Sequence, residues 1–592
     1  MLSNPQTINR KGSTLISAEN ICYHSVHNYL FEQLSLVLCE GEKVGLIGHN
    51  GCGKSTLLNI LSMRLNAQNG QVAHANNLKF SFVEQEFPEA LEKMTIIEAI
   101  LSALPPEAQS DNRWKTESLL TKVGLSEFKA THSVNNLSGG QKTKILLARA
   151  LIAEPNMLIL DEPSNHLDLP TLIWLEQFLV SWKGCLIIVS HDSRLLDKVT
   201  NCSWIIANKK LHRYGYSCSK AVSQHKEYEN SLRERAEIET QEIKRLETSA
   251  NTLAMWGKNY DSMGLSRKAK SMFKRIDKLQ SDLCQVPDEY PWQLSFPGQT
   301  IPANRVLEIT ETCIKPDNNG PTLFKIAGWQ AKSGDRVAIL GANGKGKSSF
   351  LRLLWQYWNE ATEDQIYFHP KATVAYYDQM LEGFDNSLQL IDALQFYCKR
   401  SAVNVTTEMC KLALIKTGFS YNRLQQQVKS LSGGERARLM LLGLSLIKSH
   451  ILMLDEPTNH IDLIGKQELE IQIQNYPGAL LLVSHDRDLI EATCNRFMVI
   501  HEKQWVEFND IQLAYDHINN TNSNTPLVKE NESNQLTPDN QINEDKLLER
   551  LVEVEALLEK ELQRKPKHQK PNLQQEWLLE IEQLQDRLGL ND

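Results

Sequence analysis

The chain has 592 residues, 41% hydrophobic and 23% charged, which is ordinary for a soluble globular protein and long enough for several domains. Its formal net charge of −8 excludes a global attraction to nucleic acid and leaves only local basic patches for such contact. Its 11 cysteines are scattered, with no Cys-x-x-Cys pair, which argues against a zinc or disulfide framework and for a reducing compartment.

Residues 1–17 are polar and lack the apolar core of a signal peptide. No stretch reaches the roughly 18 apolar residues of a membrane span. The richest, 439–454, is broken by Lys448 and His450 and reads as a buried helix followed by a strand. The expected location is the cytoplasm, with no membrane contact.

The first domain, 1–221, opens its chemistry at a strand-like run, 43–47. That run ends in Gly48-His49-Asn50-Gly51-Cys52-Gly53-Lys54-Ser55-Thr56, a Gly-x4-Gly-Lys-Ser phosphate loop. Leu137-Ser138-Gly139-Gly140-Gln141 follows. Apolar runs at 157–160 and 185–189 then lead into Asp161-Glu162-Pro163 and Ser190-His191-Asp192. Short apolar runs that end in functional turns suit a buried, mainly parallel sheet.

Residues 222–286 change character. Tyr228, Leu232, Ala236, Ile243, Leu246, Ala250 and Leu253, then Met272, Ile276, Leu279 and Leu283, follow helical spacing. Two long amphipathic helices are expected, with Gly257 and Gly264 bracketing the turn. From 222 to 250 there are five basic and seven acidic residues; from 251 to 281 there are seven basic and two acidic. Positive charge therefore gathers at the turn and on the returning helix. Trp256 and Tyr260 accompany Lys258, Arg267, Lys268 and Lys270 there, a set suited to stacking on bases and pairing with phosphates. The same residues also fit a solvated helix face whose aromatics close the turn.

The domain at 287–518 repeats the first set in order. Gly341-Ala342-Asn343-Gly344-Lys345-Gly346-Lys347-Ser348-Ser349 begins 293 residues after Gly48. Leu431-Ser432-Gly433-Gly434-Glu435, Asp455-Glu456-Pro457 and Ser484-His485-Asp486 follow it. The signature Ser to Asp interval is 23 residues and the Asp to His interval 30 residues in both repeats. After 518 the chain turns Asn-, Ser-, Thr- and Gln-rich, so 519–540 reads as a disordered linker. Helical spacing returns in 541–592 on either side of Pro566 and Pro571, which suggests an antiparallel hairpin. The fold class is α/β: two P-loop ATPase domains joined by an α-helical hairpin, with a second α-helical hairpin at the C-terminus.

In each phosphate loop the glycines let backbone N–H groups face phosphates at a helix N-terminus. Lys54 and Lys347 are expected to reach the β- and γ-phosphates of ATP, and Ser55 and Ser348 to offer hydroxyls to Mg²⁺. Asp161 and Asp455 would hold the metal, and Glu162 and Glu456 would polarise the attacking water. His191 and His485 would sense the γ-phosphate. Both sites are expected to hydrolyse ATP.

The two Ser-Gly-Gly segments resemble the signature of ATP-binding-cassette (ABC) ATPases, and the likeness covers almost all of both repeats. In that family two cassettes meet head to tail, and each signature closes on the nucleotide held by the other. The resemblance implies one site built from Gly48, Asn50, Gly51, Gly53, Lys54, Ser55, Thr56, Gln85, Asp161, Glu162 and His191 with Ser432 and Gly434. It implies another built from Gly341, Asn343, Gly344, Gly346, Lys347, Ser348, Ser349, Gln379, Asp455, Glu456 and His485 with Ser138 and Gly140. Gln85 and Gln379 match the family's Q-loop glutamine at the nucleotide and metal. Tyr23 matches its adenine-stacking aromatic, whereas the second repeat has no aromatic between Leu307 and Leu323.

Two cassettes in one chain, no membrane span, an interdomain helical pair, and the extended forms Glu162-Pro163-Ser164-Asn165-His166-Leu167-Asp168 and Glu456-Pro457-Thr458-Asn459-His460-Ile461-Asp462 resemble the ABC-F proteins. These are translation factors that serve stalled ribosomes or protect ribosomes from antibiotics. The resemblance implies a monomer whose two cassettes pair within the chain and which binds the ribosomal exit (E) site when ATP closes it. The linker tip would then meet rRNA and the tRNA in the peptidyl (P) site. The basic connector 564–570 makes the C-terminal hairpin either a DNA- or RNA-contacting element or a packing element. The competing readings are the ATPase subunit of a membrane transporter and a DNA-binding repair ATPase. The amphipathic linker weighs against the first, and the lack of zinc modules or very long coiled coils against the second.

Overall fold

The computed structural model describes residues 13–520 except 25–28, 86, 126–131, 166, 261, 282–294, 303–304, 317–319, 361–364, 379–383, 402, 460 and 502. Gln379, the expected linker beyond residue 520 and the expected hairpin 541–592 lie outside the described residues.

Each repeat is built on a mainly parallel six-stranded sheet. In the first, β1 (Thr14–His24), β2 (Tyr29–Cys39) and β4 (Asn69–His74) form an antiparallel three-stranded sheet. The six-stranded sheet combines β3 (Lys43–Gly48), β5 (Phe80–Val83), β6 (Met157–Asp161), β7 (Cys185–Val189), β8 (Cys202–Ala207) and β9 (Lys210–Tyr214), in the order β5-β6-β7-β3-β8-β9. The second repeat has the same plan. A small sheet holds β10 (Leu307–Ile314), β11 (Phe324–Ala331) and β13 (Ile366–Phe368). A large one orders β14 (Val374–Tyr377), β15 (Ile451–Asp455), β16 (Ala479–Val483), β12 (Arg336–Leu340), β17 (Arg496–His501) and β18 (Gln504–Phe508). Every residue of β6, β7, β15 and β16 is buried. Strands covered on both faces read as unbroken apolar runs, which is why the sequence shows them so plainly.

Helices follow at the C-terminal ends of these strands. In the first repeat they are α1 (Lys54–Leu61), α2 (Gly139–Leu151), α3 (Leu169–Ser181) and α4 (Ser193–Val199). Ser138 caps α2 through a capping box with Gln141, and Ser432 caps the matching helix of the second repeat through one with Glu435. The signature serines are thus fixed at helix N-termini.

Between the repeats runs α5 (Cys218–Asn259), 42 residues long, and it returns as α6 (Met263–Ser281). The turn falls between Gly257 and Gly264, and α5 starts four residues ahead of 222 because Cys218 and Ala221 are buried in the first repeat's core. Ala236, Ile243 and Ala250 are buried at seven-residue intervals on α5, and Ala269 and Ile276 on α6, the seam of a two-helix coil. Arg275 reaches Glu242 at 3.4 Å and Gln280 reaches Glu247 at 3.1 Å across that seam.

The second repeat carries α7 (Lys347–Glu360), α8 (Gly433–Ser445), α9 (Leu463–Gln474) and α10 (Arg487–Thr493). A last described helix, Ile511–Asn520, buries Ala514, Tyr515 and Ile518 in this repeat's core and so runs two residues past the expected boundary at 518. The two repeats also exchange side chains. Leu463 is buried in the first repeat's core and Leu169 in the second's. These leucines hold the same position, each just after the helix-capping aspartate, Asp462 or Asp168.

Candidate nucleotide sites

The two phosphate loops share one geometry. Lys54 Nζ donates to the Gly48 and His49 carbonyls at 2.9 and 3.2 Å. Lys347 Nζ donates to the Gly341 and Ala342 carbonyls at 2.7 and 3.1 Å. Both ammonium groups therefore lie within their own loops, where phosphate oxygens would compete for them. Gly53 and Gly346 take φ of +99° and +101°, and a Cβ on either would meet the strand packed beneath it.

The carboxylates stand at the ends of β6 and β15. Ser348 Oγ donates to Asp455 Oδ1 at 3.0 Å. Asp161 Oδ1 and Asp455 Oδ2 are buried without a hydrogen-bond partner among the described residues. Burial raises the pKa of both aspartates, and the Ser55 and Ser348 hydroxyls oppose that rise. An orphaned carboxylate oxygen beside a phosphate-loop hydroxyl fits Mg²⁺, a cation that takes one or two protein oxygens and completes its shell with phosphate and water.

Glu162 and Glu456 each adopt φ of +50°. Left-handed backbone at a non-glycine residue is strained and marks a position held by its surroundings. Glu162 is clamped by three donors: His191 Nε2 at 3.1 Å, Gln85 Nε2 at 3.1 Å and Asn165 Nδ2. Burial pushes its pKa up, but the His191 hydrogen bond and nearby positive charge outweigh that and hold it below the usual carboxylate range. Burial also lowers the pKa of His191. Glu456 differs. Burial raises its pKa against the pull of Lys347. His485 Nε2 lies 3.1 Å from Asn343 Oδ1 and 3.5 Å from Glu456 Oε1, and burial, with the Lys347 charge nearby, holds this imidazole's pKa well below its usual value.

A cavity of about 570 Å³ brings the repeats together around the second loop. Asn343, Lys347, Ser348, Glu456 and His485 line it from the second repeat, and Gly139, Ser164, Asn165 and His191 from the first. Gly139 opens the first signature helix, between Ser138 and Gly140. On the other side, the Asn50 N–H of the first loop donates to Asp462 Oδ2 at 3.2 Å. Each loop therefore faces elements of the opposite repeat. Tyr23 lies near the end of β1, half-buried on the first repeat's core.

Several interface residues escape a reading of the sequence. Asp462 caps α9 at Gly465 N (2.9 Å) while holding Asn50. Lys466 on α9 pairs with Asp486 at 2.8 Å, beside His485. Arg194 on α4 pairs with Asp488 and Glu491 on α10, and Arg487 reaches Glu176 on α3 at 2.7 Å. Arg194 and Asp488 are equivalent residues, each three positions after its histidine, and they carry opposite charge. That sign difference is the signal the sequence offered.

The linker tip is open. Met255, Trp256, Tyr260 and Met263 are 50–77% exposed. Lys258, Arg267, Lys268 and Lys270 are exposed beside them. No described helix is long and apolar enough to cross a membrane.

A family model described as ABC transporter matches residues 31–165 and 324–459. The chain is 30% identical over 520 residues to the ATP-binding protein YdiF of Bacillus subtilis, covering 81% of this chain and 79% of that protein. It is 29% identical over 519 residues to the ribosome protection protein VmlR of the same organism, covering 82% and 86%. Among solved structures it resembles the archaeal ribosome recycling factor aABCE1, crystallised with the stalk protein aP1. There the TM-score is 0.55 at 19% identity, covering 84% of this chain and 92% of that one.

Proposed function

The chain belongs to the ABC-F family of tandem ATP-binding-cassette proteins, and on that premise we propose that it is an ATP-driven clamp that engages the ribosome when closed. The observation that carries this reading is the tip of the α5–α6 pair. Four large apolar side chains are exposed there beside four exposed cations. A soluble protein has little reason to hold Trp256 and Tyr260 in water unless something flat and anionic covers them. RNA has both properties. Kinship with a relative named a ribosome protection protein supports the ribosome as its source. In this reading the tip enters through the E site and meets rRNA and the P-site tRNA.

Both composite sites hydrolyse ATP. Glu162 and Glu456 accept a proton from water, His191 and His485 orient it, and the signature serines Ser138 and Ser432 complete the site on the opposite loop. Mg²⁺, held through Ser55 with Asp161 and Ser348 with Asp455, would offset phosphate charge when bound. Contacts to the γ-phosphate hold the two cassettes together, and their loss on hydrolysis frees them. The cassettes pair within one chain, and the protein works as a cytoplasmic monomer.

The test is co-sedimentation of a Glu162→Gln/Glu456→Gln variant with ribosomes, with and without ATP, at near-physiological salt because phosphate contacts are salt-dependent. Binding that requires ATP is expected. A variant that still binds ATP but stays in the supernatant when the ribosomes pellet would refute the proposal.

A further inference from the structure

Gln85 reaches the first catalytic glutamate, its Nε2 donating to Glu162 Oε2 at 3.1 Å, and the residue before it is tied down from outside the site. Arg64 Nη1 donates to Glu84 Oε1 at 2.6 Å. The same guanidinium lies over the ring of Phe82, with Cζ 4.3 Å from the centroid. Phe82 lies in β5 and Glu84 just past its end, so one arginine holds the strand exit from which Gln85 extends. The backbone puts Arg64 there. After α1 ends at Leu61, Met63 turns left-handed at a φ of +56°, and the Arg64 and Leu65 N–H groups both donate to the Asn59 carbonyl, at 2.9 and 3.1 Å. A left-handed methionine is held by its surroundings and not by its own preference.

A second arginine stands near the same carboxylate. Arg149, on α2, donates through Nε to Ser102 Oγ at 3.1 Å, and burial lowers its pKa while the Glu84 charge opposes that fall. With 44% and 39% of the two side chains exposed, the Arg64–Glu84 pair adds little to the stability of the fold. Its effect is on placement. The second repeat has neither arginine at these positions. Asp378 matches Glu84, just ahead of Gln379. Tyr357 stands as far beyond Lys347 as Arg64 does beyond Lys54, but inside the unbroken α7. Gly443 stands as far beyond Ser432 as Arg149 does beyond Ser138, and Tyr397 packs against it.

We propose that Glu84 is a positioning residue of the first site: Arg64 holds its carboxylate, and it in turn sets the Gln85 amide against the catalytic glutamate, Glu162. This rests on the proposal that the first site hydrolyses ATP. The arrangement belongs to that site alone, so the two glutamates are set by different means.

Steady-state ATP turnover by a Glu456→Gln variant, which keeps only the first site's catalytic glutamate, reads the effect, and a Glu162→Gln variant is the control. In Glu456→Gln, Arg64→Ala and Glu84→Gln are each expected to lower kcat by on the order of tenfold, the scale for a group that orients a ligand at a metal site, with KM within about twofold. Arg64→Lys keeps the charge and should restore most of that kcat. In Glu162→Gln, Arg64→Ala should leave turnover at the second site unchanged. Equal losses in the two backgrounds would make the pair a general support of the fold and overturn the inference. So would an unchanged kcat in Glu456→Gln. If Glu456→Gln itself turns over no ATP, the reading of the first site as hydrolytic fails, and the Mg²⁺ dependence of mant-ATP binding decides the matter. It is measured on a Lys347→Ala variant, whose first loop alone keeps its lysine. Arg64→Ala and Glu84→Gln should weaken that dependence, because the expected place of Gln85 is beside the metal. An unaltered dependence would overturn the inference.

Discussion

Reversing Arg194 to Asp should loosen the pairing of the two cassettes without touching either phosphate loop. Arg194 meets Asp488 and both carboxylate oxygens of Glu491 across the interface, with side-chain exposures of 31%, 36% and 28%. Fully exposed pairs contribute about 0.2–1 kcal/mol, and hydrogen bonds to charged groups about 1.5–3 kcal/mol. One-third exposure places each contact near the junction of those ranges, so the two together stabilise the closed form by about 2 kcal/mol. An aspartate in that place adds repulsion, for a total of about 3 kcal/mol, or roughly a hundredfold in the closing equilibrium. The assay is an ATP titration of FRET between dyes on the two cassettes, in the Glu162→Gln/Glu456→Gln background. The midpoint for Arg194→Asp should move to higher ATP, and the shift should shrink as salt screens the charges. Because Arg194 and Asp488 are equivalent positions, the exchange Arg194→Asp/Asp488→Arg rebuilds one pair and should recover about half of the loss, Glu491 still facing the new aspartate. An unmoved midpoint for the single variant, or an exchange no better than it, would refute the reasoning.

Glu162→Gln and Glu456→Gln should each remove most turnover at one site, and together nearly all of it, with ATP binding retained; wild-type turnover in the double variant would take both from the general-base role. Charge reversal at Arg267, Lys268 and Lys270 should weaken ribosome binding at least tenfold while ATPase activity without ribosomes stays unchanged; unaltered affinity would return the tip to a plain solvated face. Gly346→Ala should abolish nucleotide binding at the second loop, because the new methyl meets Leu323 and Phe324 at a φ of +101°; tight binding there would show that the loop can shift. His212 packs on His225 and Tyr228 where α5 leaves the first cassette, and burial with the neighbouring His225 lowers its pKa to about 4. The unfolded chain then binds more protons than the folded one between about pH 6.5 and 4. Stability from this site is complete above that window and falls by about 2 kcal/mol through it as pH drops, after discounting for partial exposure. A His212→Gln variant should flatten the acid side of the thermal melting profile, and an unchanged profile would assign the acid loss elsewhere.

The local features were readable and the long-range ones were not. Phosphate loops announce themselves because Gly51, Gly53, Gly344 and Gly346 meet backbone demands that few other residues can, all with positive φ. The linker pair was legible because Ala236, Ile243 and Ala250 keep a heptad that only a helix seam uses. Asp462 stands in the quoted motif, yet its partner Asn50 is 412 residues away, and no local pattern points across that distance. Leu169 and Leu463 look like core residues of their own cassettes and are core residues of the other one. Residue types mark Asn165 as part of a motif and not as a donor to Glu162, because they do not show the left-handed turn that brings the two together. Helical periodicity alone starts α5 late because Cys218 and His225 owe their burial to the first cassette, with Tyr214 bonded to His225 at 2.9 Å.

That root gives the linker mechanical gain. A helix of 42 residues is about 63 Å long. Its first two turns are buried at Cys218, Ala221 and His225 against the first cassette, while among the described residues its far end packs against α6. A tilt of the cassette by about 5° therefore sweeps the tip through about 5 Å, close to one turn of helix. In the proposed clamp, sub-ångström adjustments around a γ-phosphate, too small to matter where they occur, would become at Trp256 and Tyr260 a displacement of several ångströms.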